Sequence, residues 1–305
     1  MGLALSTAWN AWRYEDGTKI VQEIQGLAFK EIELSFNLTP EMIKDIALIV
    51  KKQEIRVLSL HNFCPIPAGL KRNEALPDCY SLASLDEEKR ALAIKYTKIT
   101  IDTASKLNAR AVVLHCGRVE IKDRTRDLIF LYNMSQDTSL PQILDIKDTM
   151  QKERQAKAKP HLSAALKSIE ELSIYARKSN ISLGIENRFY FHEIPSFEEI
   201  AVFLNSFRGA NVFYWHDTGH AQLWDYLAFI KHQEYLNLYG RDLLGMHIHD
   251  IDGADDHLAP LKGNLNFELF KPYLRENTIK TIEAHHPALG QDIIKAREFL
   301  EELYS

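Results

Sequence analysis

The chain has 305 residues, 46% of them hydrophobic and 26% charged, the profile of a globular protein long enough to bury a large core. Its net charge of −5 gives no overall attraction to nucleic acid, and no apolar run approaches the roughly 18 residues that span a bilayer. Three scattered cysteines, Cys64, Cys79 and Cys116, with no C-x-x-C pair, are too few for a disulfide framework and point to a reduced, cytoplasmic setting.

Leu3–Ser6 reads as a first buried strand and Glu31–Ser35 as a second. "TPEMIKDIALIVKKQ" then predicts a helix capped by Thr39, with Pro40 at its first position. Arg56–Leu60 is the third strand, and a long loop, "HNFCPIPAGLKRNEALPDCYSL", leads to an amphipathic helix capped by Ser84. Ala111–Leu114 is the fourth strand. The segment from Gly117 to about Pro160 breaks the rhythm: it carries nine Lys/Arg against seven Asp/Glu and reads as a lid or a contact with a second copy of the chain. A helix over "HLSAALKSIEELSIYARKSN" precedes strand five, Ile181–Ile185, and "SFEEIAVFLNSF" precedes strand six, Val212–Trp215. Leu244–Ile248 and Lys280–Ile282 are strands seven and eight, and "DIIKAREFLEEL" closes the chain with a helix. Eight short apolar strands alternating with helices predict an α/β protein, a (β/α)8 TIM barrel forming one domain over residues 1–305, with a helical insertion at about 117–160 after strand four. The rival is an open doubly wound sheet, but no glycine-rich dinucleotide fingerprint follows any strand.

Active sites of such barrels lie at the C-terminal ends of the strands. There strand three delivers His61, strand four His115 and strand five Glu186. Strand six delivers Asp217 and His220, strand seven His247 and His249 with Asp255 and His257 in the following loop, and strand eight Glu283. Nine of the twelve histidines sit at or just beyond strand ends; only His161, His192 and His232 do not. A single histidine there is ordinarily a structural, hydrogen-bonded residue, but six consecutive strands each delivering a His, Asp or Glu is a pattern that a structural role explains poorly. Glu186 and Glu283 would be costly as unpaired buried charges, and a divalent metal is the natural compensation; mixed His/carboxylate ligands suit Zn, Mn, Fe or Co rather than Ca. His247 and His249, two apart on a strand, face the same way, one as ligand and the other as support. Asp255 and His257, two apart in the loop, could hold an ion together, while Asp250, Asp252 and Asp256 read as supporting or solvated. His216, His285 and His286 read as structural, and Cys116 as a packing residue.

Through "LGIENR", "WHDTGHA", "HIHDIDGADDHLAPLKGNLNF" and "TIEAHHP" the chain resembles the xylose-isomerase-like TIM barrel superfamily over nearly its whole length. That superfamily contains sugar phosphate isomerases and epimerases and the endonuclease IV class of apurinic endonucleases (AP endonuclease family 2). The resemblance implies a shared metal site at Glu186, Asp217, His247 and Glu283. In the isomerase branch the two glutamates also move the substrate proton. In the endonuclease branch His61 and His115, with Glu186 bridging, would hold a second zinc, and His220, Asp255 and His257 a third. Two features depart from the endonuclease pattern. The first strand ends "LSTAWNAW", without a histidine, and the P-G-E-G turn reads Pro260-Leu261-Lys262-Gly263.

The expected function is therefore a divalent-metal-dependent sugar or sugar-phosphate isomerase or epimerase, holding one to three Zn, Mn, Co or Mg ions, with Glu186 and Glu283 catalytic. Its partner is a small carbohydrate, with no membrane or nucleic acid implied and a homo-oligomer allowed. Arg188 and Lys262 are candidates for a substrate phosphate or carboxylate, His220 for a substrate contact, and Trp9, Trp12, Trp215 or Phe63 for stacking on the sugar. The alternative is a zinc phosphodiester hydrolase of the endonuclease IV type.

Overall fold

Short Val-, Ile- and Leu-rich segments flanked by amphipathic helices bury both faces only when the strands pair in parallel and the helices cover the outside. The computed structural model, which describes residues 2–135 and 139–305, has this arrangement. Strands β1 (Leu3–Ser6), β2 (Glu31–Leu34), β3 (Arg56–His61), β4 (Ala111–Leu114), β5 (Ser182–Glu186), β6 (Val212–Asp217), β7 (Leu243–Ile248) and β10 (Ile279–Ile282) close into one barrel. They run β1-β10-β7-β6-β5-β4-β3-β2, each pair parallel. A separate antiparallel hairpin, β8 (Asp250–Asp252) with β9 (Asp255–Leu258), follows β7.

The helices are α1 (Gly17–Gly26), α2 (Pro40–Lys51), α3 (Glu87–Lys106), α4 (Thr125–Met134), α5 (Pro141–Arg177), α6 (Phe197–Ser206), α7 (Thr218–Tyr226), α8 (His232–Tyr239) and α9 (Gly290–Leu303). Thr39 caps α2, accepting from the Met42 amide, with Pro40 in the first turn. Helix α3 is capped by Asp86, not Ser84; the carboxylate accepts from the Glu88 and Lys89 amides, while Ser84 Oγ accepts from Asp86 N. Carboxylate charge at a helix N-terminus makes Asp86 the stronger cap. The long segment after β4 forms α4 and the first half of α5; its residues 136–138 lie outside the described residues. Pro160 does not end it. α5 runs through that proline for 37 residues, because a buried stripe including His161, Ala165, Ile169 and Leu172 packs beyond it and offsets the lost hydrogen bond. Between β7 and β10 a 3-10 segment, Phe267–Tyr273, stands where a full helix would be.

Two cores result. The larger lies between strands and helices; the smaller fills the barrel with Ala4, Leu58, Ala111, Val113, Trp215 and Ile279. Trp215 is the plug. A Cβ on Gly245 would lie 2.4 Å from its ring and one on Gly184 2.9 Å, so glycine at both positions makes room for the indole. The His/carboxylate groups described below stack above it, toward the C-terminal ends of the strands. Among the described residues no helix is long and apolar enough to cross a membrane.

Candidate metal centre

With side chains alternating along each strand, the positions above the Trp215 plug belong to Glu33, His61, Glu186, Asp217 and His247, and just past the strand ends to His115 and Glu283. Most of these are fully buried: Glu33, Asp217 and His247 at 0% exposure, Glu186 at 1% and Glu283 at 4%.

The centre of the group is His247, whose ring packs edge-on against Trp215. Its Nδ1 lies 2.6 Å from Glu186 Oε1, 2.9 Å from Glu283 Oε2 and 3.8 Å from Asp217 Oδ2. One ligand atom from each of these four residues falls within 4.8 Å of the others. Three carboxylates meet one imidazole here, all buried, and a cation among them would offset their charge. The donor set thus fits a divalent ion. Burial works against ionised Glu186 and Glu283, yet the adjacent imidazoles outweigh it and hold both carboxyls well below their ordinary range.

Two further groups share residues with this one. In the first, His61, His115 and Glu186 converge. His61 donates from Nδ1 to the Asn62 carbonyl at 3.0 Å, leaving Nε2 3.9 Å from Glu186 Oε2. His115 Nε2 is 2.8 Å from the same oxygen, and its Nδ1 faces Asp78 Oδ2 at 3.2 Å. Burial and the nearby Arg188 work against a charged His115, but Asp78 and Glu186 outweigh them and hold its pKa up at about 9. Burial leaves His61 at about 4.

In the second, Asp217, His220 and His257 converge, as do His249, Asp256 and His257. The Asp217/His220 spacing is a helix cap: Asp217 accepts from the His220 amide at 2.8 Å and starts α7. His220 Nδ1 donates to the Asn187 carbonyl, and its Nε2 faces Asp256 Oδ2 at 3.7 Å. His249 Nε2 lies 2.9 Å from Asp217 Oδ1, and its ring stacks on His257 at 4.2 Å. Burial opposes charge on His249, but Asp217 and Asp256 hold its pKa at about 10. Gly219 permits the approach; a Cβ there would meet His249 at 2.2 Å and Asp256 at 2.4 Å.

Asp255 is not part of this group. It is exposed, and Asp256 takes the place its spacing from His257 suggested, 3.0 Å from His257 Nδ1. The i, i+2 argument assumes extended backbone, but His257 has φ +56°, which breaks the alternation and brings adjacent side chains to the same side. Asp250 instead ties down the next loop through the Leu261 and Leu265 amides.

Other expected contacts are placed elsewhere. Lys262 is bound to Asp292 at the start of α9, 2.8 Å away. Trp9 is buried at 2% exposure and donates to the Ala288 carbonyl; Trp215 and Phe63 are likewise core residues. Their aromatic bulk is spent on packing, leaving Trp12, 52% exposed and edge-on to His286, as the accessible indole of that set. Arg188 does reach the centre, but both terminal nitrogens are engaged, Nη1 with Glu186 at 2.6 Å and Nη2 with Glu193 at 3.0 Å. His216 is structural, linked to Tyr214 and His232. Sequence reasoning missed Glu33 and Asp78. Glu33 sits in "EIEL", whose alternating acids resemble a solvated strand face, and Asp78 lies in a long loop whose path no local pattern reveals.

A closed parallel barrel with linked His/carboxylate groups at the C-terminal ends of its strands is a TIM barrel with residues there that could hold a metal ion. The chain belongs to the xylose isomerase-like TIM barrel family, whose model matches residues 21–303. No curated protein matches it in sequence. Among solved structures it is similar to a D-tagatose 3-epimerase-like protein (21% identity, TM-score 0.66, covering 99% of this chain and 97% of that one). It is also similar to D-psicose 3-epimerase from Clostridium cellulolyticum H10, solved with D-tagatose (13% identity, TM-score 0.68, all of both chains). A third is the IOLI protein, solved with a bound zinc atom (14% identity, TM-score 0.69, 100% of this chain and 98% of that one). At these identities the likeness is one of fold.

Proposed function

We propose that this chain is a divalent-metal-dependent isomerase or epimerase acting on a sugar or sugar phosphate. The observation that carries the reading is the placement of two buried glutamates, Glu186 and Glu283, 2.6 and 2.9 Å from one nitrogen of His247 at the barrel mouth. Glu186, Asp217, His247 and Glu283 would hold the ion; when bound, it supplies Lewis-acid polarisation of a substrate carbonyl. Glu283 is the freer carboxylate, its contacts being with His247 and, at 3.9 Å, His257, so it takes the proton from the carbon beside the carbonyl. Glu186, held by Arg188, His115 and His247, passes on a proton drawn from His115 Nε2, 2.8 Å away, to the second carbon or the opposite face.

The reading is tested by incubating the metal-loaded protein with a panel of ketoses, aldoses and their phosphates in deuterium oxide. Deuterium incorporated at the carbon beside the carbonyl, with an isomer or epimer formed, is the expected result. No exchange with any sugar under metal-replete conditions overturns it.

A second reading has its own observation. Glu186 and Asp217 each belong to two of the donor groups, so the groups form one continuous set, as a zinc phosphodiester hydrolase of the endonuclease IV type would need. Its test is cleavage of abasic-site DNA by protein carrying about three zincs per chain, one for each donor group.

A further inference from the structure

The sequence gives no hint that Glu33 matters, yet its position in the barrel is unusual. β2 and β3 pair with a register shift between Ile32 and Glu33, so that Glu33 stands opposite Ser59. Ser59 Oγ donates to Glu33 Oε2 at 2.7 Å. Across the barrel, the two carboxylate oxygens of Glu33 lie 3.0 and 3.1 Å from His247 Nε2. Both residues are completely buried. The two nitrogens of His247 thus have separate employment, Nε2 with Glu33 and Nδ1 with Glu186 and Glu283.

An imidazole can offer a lone pair to a metal from only one nitrogen while the other keeps its proton, and the partner of the second nitrogen decides which. In its ionised form the Glu33 carboxylate is an acceptor only, and with Ser59 Oγ donating to Oε2 and both oxygens facing Nε2 it calls for a proton on that nitrogen. We propose that Glu33 is a positioning residue: by accepting the Nε2 proton of His247 it fixes the tautomer and ring orientation that present Nδ1 to the metal, with Ser59 holding Glu33 in line. Glu33 touches neither the substrate nor the reacting atoms; it acts through His247. This rests on the metal-dependent reading of the cluster and adds a residue from β2, on the other side of the barrel, to a site otherwise built by β3 to β10.

The test is zinc binding to metal-stripped protein by calorimetry, with the nitrogen-15 spectrum of His247 recorded on the zinc-loaded form, neither of which depends on finding the sugar. Glu33→Met keeps the volume and removes the acceptor; Glu33→Gln keeps an acceptor. Affinity is expected to fall about 10- to 100-fold in Glu33→Met, with the protonated Nε2 signal of wild type lost or displaced, and to recover most of the way in Glu33→Gln. Ser59→Ala, which disturbs the fold least, is expected to weaken binding several-fold. Wild-type affinity and an unchanged His247 spectrum in Glu33→Met, or in Ser59→Ala should Glu33→Met not fold, overturn the proposal while leaving the metal site standing. Failure of wild-type protein to bind zinc overturns the metal reading and this proposal with it.

Discussion

Two side chains separate chemistry from architecture. Glu283→Gln keeps the shape and removes the base, so turnover should fall at least about 100-fold while the melting temperature stays near wild type; near-normal activity would take Glu283 out of the mechanism. His232 tests architecture. It is buried at 2% exposure, within hydrogen-bond reach of His216 and Gln222, and burial lowers its pKa to about 4. Asp225 and Asp217 oppose that shift without reversing it. An unfolded histidine titrates near 6.5, so between about pH 6.5 and pH 4 the unfolded chain binds the extra proton. Stability from this group is present above pH 6.5, is lost as the pH falls, and levels off below about 4. Denaturant melts of wild type and His232→Gln across that window should show a shallower acid slope in the variant, by an amount on the order of 3 kcal/mol at most. Parallel slopes would show that His232 takes up its proton in the folded state as well.

At the level of elements, β7 and the hairpin after it make the strongest demands. Gly245→Ala would press a Cβ to 2.4 Å from the Trp215 ring, and should destabilise the fold by about 1–3 kcal/mol. Pairing it with Trp215→Phe should recover part of that loss, and strict additivity of the two effects in chemical denaturation would deny the contact. On the hairpin, the left-handed conformation of His257 turns Asp256 inward and leaves Asp255 outside. Asp256→Asn should therefore reduce the zinc retained per chain while Asp255→Asn leaves it unchanged, as read by elemental analysis. The opposite result would restore the simple i, i+2 spacing.

For the molecule as a whole, the barrel mouth gathers the carboxylates of Glu33, Asp78, Glu186, Glu193, Asp217, Asp256 and Glu283 around Arg188 and six histidines. A ligand that binds only the folded state raises stability by mass action, about 2.7 kcal/mol at a hundred times its dissociation constant. Stripping metal with a chelator should lower the melting temperature by a few degrees, and zinc should restore it. A melting temperature indifferent to both treatments would mean that the cluster holds no ion.

Periodicity and strand-end chemistry are local properties, and they are where the sequence alone was informative. Eight apolar runs separated by amphipathic helices leave a parallel barrel as the economical way to cover both strand faces, and the ends of those runs name His61, His115, Glu186, Asp217, His220, His247, His257 and Glu283, all of which converge. The helix boundary at Pro160 and the pairing of Asp255 with His257 went differently because each depended on backbone geometry set by distant packing or by one residue's φ. The folded structure alone decided what lies across the barrel and beneath the site. Glu33 meets His247 over 214 residues of chain, Asp78 reaches His115 from a loop, and Trp215 plugs the floor beside two glycines. Such contacts join strands that are neighbours only once the barrel has closed, and no spacing along the chain encodes that closure.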